Sequence, residues 1–176
     1  IVFGDWSSDV CSSDLCSEKL KSLDCEARRF ARLKTPILIL GERGTGKSTL
    51  ATWIRSNSNF VNKEFKDNWS GVACGQFTPE MMRSELFGHK KGAFTGALND
   101  KVGLLKQMDK DTLFLDEIGD IDTDTQRLLI KALEEKRFQP LGSRKIESSD
   151  FRLITATNRP LRSEEHTSEL QSPNTI

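Results

Sequence analysis

One segment restricts the possible folds more than any other. An apolar run, Pro36-Ile-Leu-Ile-Leu40, ends on Gly41-Glu42-Arg43-Gly44-Thr45-Gly46-Lys47-Ser48. The run is short and partly β-branched, as expected of a strand buried on both faces of a parallel sheet. The glycines stop it, and residues 47–56 read as the helix that follows. A strand, a glycine-rich turn and a helix commit the chain to wound α/β layers. The turn also fits G-x-x-x-x-G-K-[ST], in the strand-to-helix context that gives the pattern meaning.

The chemistry of that turn is specific. Its glycines let backbone N–H groups converge on phosphate oxygens, and the helix beginning there adds its positive end. Lys47 brings a point charge to the β- and γ-phosphates, and the Ser48 hydroxyl is a magnesium ligand. Gly41, Glu42, Arg43, Gly44, Thr45, Gly46, Lys47, Ser48 and Thr49 are therefore the candidate nucleotide-binding residues, with ATP and Mg²⁺ as the ligands. The plain alternative is a glycine-rich turn carrying a surface lysine.

An acidic partner lies downstream in Leu113-Phe114-Leu115-Asp116-Glu117. An apolar strand delivers two carboxylates at its C-terminal end, where open α/β sheets bind ligands. Asp116 is expected in the magnesium shell, and Glu117 is expected to orient and polarise the attacking water. The alternative is a strand-end Asp-Glu pair that caps a turn. Ala156-Thr157-Asn158 ends another apolar run. Asn158 could hydrogen-bond the γ-phosphate or the lytic water, or serve as an ordinary turn residue.

The remaining pattern supplies alternating elements. Helices are expected over 16–33, 79–87, 104–108 and 122–136, and strands over 71–74, 112–115 and 151–156. Proline opens the helix at Pro79, and Thr123 with Gln126 has capping-box spacing. A polar loop is expected over 57–70. Residues 138–150 contain a Gly-Ser turn and read as a hairpin. No internal repeat or low-complexity linker interrupts the pattern.

The two ends read differently. Residues 5–15 are DWSSDVCSSDL and residues 162–173 are RSEEHTSELQSP. Both resemble translated sequencing-adapter DNA and carry no periodicity, so residues 1–15 and 162–176 are expected to be non-native. Residues 16–161 are then one ATPase-like core. Without the one basic and six acidic residues of those ends, the 26 basic and 26 acidic residues of the chain leave a positive excess of about five. That excess is too small and scattered to argue for nucleic-acid binding by this segment. No apolar run approaches membrane-spanning length. Cys16, Cys25 and Cys74 lack paired zinc or redox spacing, and reduced thiols in the cytosol are the simplest reading. His89 is the one histidine of the core, which argues against a histidine-based metal site.

Between the two nucleotide motifs stands Gly92-Ala93-Phe94-Thr95-Gly96-Ala97. Glycine at both ends reaches backbone angles other residues avoid. Phe94 and Thr95 offer an apolar knob with one hydrogen-bonding group, suited to docking on a partner. A buried turn with Phe94 as core filler is the competing reading.

Together these motifs closely resemble the AAA+ ATPase domain of bacterial activators of sigma-54 RNA polymerase, the enhancer-binding proteins. The resemblance rests on Glu85-Leu-Phe-Gly-His89, Lys90-Lys91, the Gly92 to Ala97 loop, Thr112-Leu-Phe-Leu-Asp-Glu-Ile-Gly-Asp120 and Ala156-Thr-Asn-Arg159. It implies a P-loop, three-layer αβα fold with a central parallel sheet, truncated here. It also implies a cytoplasmic homo-oligomeric ring, most often a hexamer, with ATP between subunits. Hydrolysis would move the loop, so that Phe94 and Thr95 touch sigma-54 and remodel the closed promoter complex of RNA polymerase. The hairpin around Gly142-Ser143 would be a second moving loop. DNA would be bound through a domain absent from these residues, and no membrane partner is expected.

Some positions depart from the family pattern. Ser48 stands where the family usually has Glu. Ala73-Cys74 replaces Asn-Cys, whose Asn holds the catalytic Glu in check. Pro140 replaces an Arg. The stretches Glu134–Phe138 and Ser148–Phe151 resemble the branch that regulates RNA-repair genes. The family's arginine fingers follow the sensor strand, where the adapter-like tail begins. The isolated chain is therefore expected to bind ATP weakly and hydrolyse little, since such a finger is worth about 10³–10⁵ in rate. Two other functions fit the nucleotide motifs: an AAA+ ATPase with a different remodelling task, and a non-hydrolysing module that senses nucleotide.

Overall fold

The computed structural model describes residues 18–61 and 71–158, with side chains from Asp24 onward. The adapter-like ends, Arg159 and most of the 57–70 loop lie outside these residues.

Four strands form one parallel sheet in the order β1-β8-β5-β2. They are β1 (Ile37–Leu40), β8 (Arg152–Thr157), β5 (Thr112–Asp116) and β2 (Val72–Ala73). Ile37 pairs with Ile154, Phe114 with Ile154 from the other side, and Ala73 with Asp116. Helices cover both faces, which is why β5 and β8 are apolar with little alternation. Side chains still alternate between faces with period two. Phe114, Ile154 and Ala156 pack with Ile37 and Ile39 under α1 (Glu18–Ala31) and α2 (Lys47–Ser56). Leu113, Leu115 and Leu153 pack the opposite way, under α3 (Pro79–Phe87), α4 (Leu104–Gln107) and α5 (Thr123–Glu135). Each fully buried Leu, Ile or Phe contributes about 1.5–3 kcal/mol. The result is the expected three-layer αβα arrangement.

Two antiparallel ribbons project from this body. One joins β3 (Gly88–His89) to β4 (Lys101–Val102), and the other joins β6 (Arg137–Phe138) to β7 (Glu147–Ser148). The second is the hairpin expected over 138–150. The first is absent from the sequence reading, because two-residue strands leave no periodicity to detect.

Helix ends follow local chemistry. Thr78 caps α3 by accepting from Met81 N, with Pro79 in the first turn. The start of α5 corrects the expected capping box. Asp122, not Thr123, is the cap and accepts from Thr125 N, while Gln126 Nε2 donates to the carbonyls of Ile118 and Ile121. Asp is as good a cap as Thr, and the Asp sits one residue earlier.

At the opposite end of the strands from the candidate site, Arg55 and Asp111 form a buried two-pronged ion pair. Nε donates to Oδ1 at 2.9 Å and Nη2 to Oδ2 at 2.6 Å, with 4% and 0% side-chain exposure. Such paired bonds fix orientation as well as charge. Arg152 donates to the carbonyls of Phe30 and Ala31, tying α1 to the first residue of β8. Burial lowers its pKa from the ordinary value.

Candidate functional site

The C-terminal ends of β1, β5 and β8 lie side by side at one end of the sheet and bring the candidate nucleotide residues together. Gly41 N donates to Thr157 O at 3.2 Å, anchoring the glycine-rich loop on the end of β8. Gly44 and Gly46 hold φ angles of 80° and 78°, a region costly to residues with a Cβ. Gly46 then caps α2, directing the first helical N–H groups into the loop. Thr45 Oγ1 closes the turn by donating to Glu42 O at 2.8 Å. Lys47 is buried, and its Nζ donates to Gly41 O at 3.1 Å and Glu42 O at 2.9 Å. Its charge thus sits at the mouth of the loop, where phosphate oxygens would compete with these carbonyls for its protons.

Facing the loop, Asp116 ends β5. Ser48 Oγ donates to Asp116 Oδ2 at 3.4 Å, and Glu117 N donates to Asp116 Oδ1 at 3.0 Å. A hydroxyl and a carboxylate are hard oxygen donors of the kind magnesium takes, so the residues present fit that ion. Arg43, Gly44, Gly46, Lys47, Ser48, Thr49, Asp116 and Glu117 line a single cleft of about 460 Å³. That lies within the range of small-molecule sites. Gly41, Glu42 and Thr45 are not among the lining residues; the Glu42 carbonyl accepts from Thr45 Oγ1 and Lys47 Nζ.

Glu117 holds a left-handed backbone, φ 54° and ψ 52°. This turns its side chain toward β8, where Oε2 accepts from Asn158 N at 3.2 Å. The expected catalytic pair therefore touches through main chain on one side and carboxylate on the other. A non-glycine residue in this region is strained, and such strain concentrates at functional sites. Nothing in the sequence signals that angle. Cys74, next to Ala73 on β2, has its thiol pushed up to about 12 by burial, with Asp116 and Asp120 adding to the effect. It is chemically quiet.

The Gly92 to Ala97 loop stands on the β3–β4 ribbon, away from the cleft. Gly92 and Gly96 adopt φ angles of 81° and 101°, the freedom their positions in the sequence suggested. Gly92 N donates to Ala97 O and Ala97 N to Phe94 O, closing the loop. Ala93 is half-buried, Thr95 is exposed and Ala97 is buried at the foot of the loop. Phe94 is half-buried and belongs to neither apolar cluster, so it is not core filler. Its ring meets His89 edge-on, with centroids 5.0 Å apart. Lys90 pairs with Asp100, which also accepts from Lys91 N.

The second loop clasps the first, a relationship the sequence does not reveal. Lys90 N donates to Leu141 O at 2.9 Å, and Leu141 N donates to Gly88 O at 3.0 Å. A Cβ on Gly142 would lie 2.8 Å from Ala93 Cβ. Gly142 also has a φ of 69°, so only glycine allows both the turn and the approach.

Among the described residues, no group of three or more His, Cys, Asp or Glu side chains could hold a metal by itself. No described helix is long and apolar enough to cross a membrane. Cys25 and Cys74 are free, one exposed and one buried.

A family model described as the sigma-54 interaction domain matches residues 15–172. The sigma54-dependent transcriptional regulator SfnR of Pseudomonas fluorescens is 43% identical over 140 residues, covering 80% of this chain and 37% of that protein. The transcriptional regulatory protein RtcR of Escherichia coli is 45% identical over 129 residues, covering 73% of this chain and 24% of that protein. Crystal structures of NtrX from Brucella abortus, one with ADP and one with ATP, superpose with a TM-score of 0.69 at 29% identity. They cover 83% of this chain and 30% of NtrX. The chain thus spans between about a fifth and two-fifths of the relatives' length.

Proposed function

This chain belongs to the sigma-54 interaction domain family, and on that footing we propose that it is the ATP-binding and hydrolysing core of a sigma-54-dependent transcriptional activator. ATP binds in the Lys47–Asp116 cleft and is hydrolysed in the cytoplasm, within a homo-oligomeric ring, a hexamer by resemblance. The energy released remodels the closed complex of sigma-54 and RNA polymerase. Promoter DNA is engaged through another domain. The observation that carries this reading is the coexistence of two features. A lysine, a hydroxyl and two carboxylates share one cleft, and a glycine-hinged loop presents Phe94 and Thr95 apart from it.

Each residue has a defined task in this reading. Backbone N–H groups of residues 41–49 and the Lys47 ammonium take the phosphate oxygens. Ser48 and Asp116 would hold Mg²⁺, which would neutralise phosphate charge. Glu117 accepts a proton from the water that attacks the terminal phosphorus. The bond to the bridging oxygen then breaks and ADP leaves. Asn158 stands beside Glu117, where its amide reports whether phosphate is present. Phe94 and Thr95, carried by Gly92, Ala93, Gly96 and Ala97, contact sigma-54.

The test is Thr95→Ala in the full-length protein. Nucleotide affinity stays unchanged while engagement of sigma-54 is lost. Normal sigma-54 engagement by that variant would overturn the proposal and favour an ATPase with another remodelling task.

A further inference from the structure

His89 has no task in the nucleotide cleft, yet four separate parts of the structure converge on it. Its backbone pairs with Lys101 across the β3–β4 ribbon and bridges to Leu141 of the second loop. Its Nδ1 shares a 2.7 Å hydrogen bond with Ser84 Oγ, and Ser84 is only 5% exposed. Its ring stands at 70° to that of Phe94, at 5.0 Å between centroids. This is the edge-to-face arrangement that aromatic rings prefer. The imidazole is thus fixed from behind by a buried hydroxyl and offers its free side to Phe94.

We propose that His89 is a positioning residue that stows Phe94: anchored by Ser84, it holds the ring against the ribbon until the loop is driven outward. This deepens the function proposed above and rests on its assignment of Phe94 to partner contact. Phe94 can enter a pocket on another protein only by giving up its contact with His89. An aromatic pair of this kind biases the two poses roughly two- to tenfold. The stowed pose therefore lowers partner affinity in the resting protein by that factor, because only the released fraction is competent.

The experiment places 4-fluorophenylalanine at position 94 of the full-length protein and reads its single ¹⁹F resonance without partner. The resonance should shift on His89→Ala, shift less on Ser84→Ala, and return toward its parent position in His89→Phe, since the last two keep a ring beside Phe94 without the serine bond. His89→Gln keeps a hydrogen-bonding group without a ring and should behave as alanine. In the presence of sigma-54 and absence of nucleotide, His89→Ala should bind roughly two- to tenfold tighter than parent, and His89→Phe should not. ATP turnover without sigma-54 stays at the parent value, since His89 touches no cleft residue. A resonance indifferent to His89→Ala, or equal sigma-54 affinity in the alanine and phenylalanine variants, would overturn the proposal. If the parent binds no sigma-54, the functional reading fails, and the fluorine resonance alone still decides whether His89 stows Phe94.

Discussion

The backbone N–H of Asn158 donates to the carboxylate of Glu117 across 3.2 Å, joining the end of β8 to the residue that follows β5. With Asp116 bonded to Ser48 and Gly41 bonded to Thr157, the cleft is closed by a circuit of hydrogen bonds. Glu117 is the member proposed to accept the proton. In the full-length protein, Glu117→Gln should bind ATP with parent affinity and hydrolyse it about 10²–10⁴ times more slowly. Paired nucleotide-binding and phosphate-release assays check this, and near-normal turnover removes Glu117 from the role.

Lys47 already satisfies two carbonyls of its own loop. Lys47→Ala removes those two bonds, costing some stability, and removes the charge proposed to meet phosphate. Loss of a charged hydrogen bond predicts roughly ten- to hundredfold weaker nucleotide binding. Titration calorimetry against ATP, with circular dichroism as the control for folding, measures both.

Gly142→Ala should separate the two projecting loops. The new methyl would meet Ala93 at 2.8 Å, and the left-handed backbone adds about 1–3 kcal/mol of strain. The melting temperature falls, nucleotide affinity stays within about twofold of parent on an otherwise intact cleft, and sigma-54 engagement drops. A loss of nucleotide affinity of the same size would show that the substitution acts on the whole fold.

The Arg55–Asp111 pair predicts a large and asymmetric effect. Asp111→Ala leaves a buried guanidinium without its carboxylate and should cost about 3–5 kcal/mol. Replacing both with apolar residues of similar size should cost less. Urea unfolding of the two variants tests the inequality.

Asp122 gives a pH signature. Its pKa is lowered to about 2, first by the Thr125 hydroxyl and then by Arg83 and Thr125 N. The unfolded carboxylate titrates near about 4, so the unfolded chain binds the extra proton between these values. The stabilisation is fully present above about pH 4 and is lost as pH falls through about 2. The difference in melting temperature between parent and Asp122→Ala should hold steady from pH 7 to about pH 5 and shrink below about pH 4.

Much of the fold is legible from the chain because its signals are local. The run into Gly41, the run into Asp116 and the Pro79 start of α3 each combine an apolar period with a strong stop or start. The phosphate-binding loop is legible for the same reason, since its glycines and Lys47 are contiguous. What escaped reading is pairing between distant, short segments. Leu141 meets Gly88 and Lys90 through main-chain groups that every residue carries. Nor does the identity of Glu117 announce its backbone angle, because sequence patterns record side chains and the angle is imposed by strands on either side. The misplaced cap of α5 has a simpler origin: Asp122 and Thr123 are both good caps, and only the chain's path decides between them.

The left-handed turn at Glu117 sets a limit for engineering. Glycine there would relax the main chain and raise the melting point, yet it would delete the carboxylate proposed to take the proton. A programme that idealised this segment for robustness would thus select for a sturdier, slower motor. On the proposed function, the position endures its discomfort for the sake of that carboxylate.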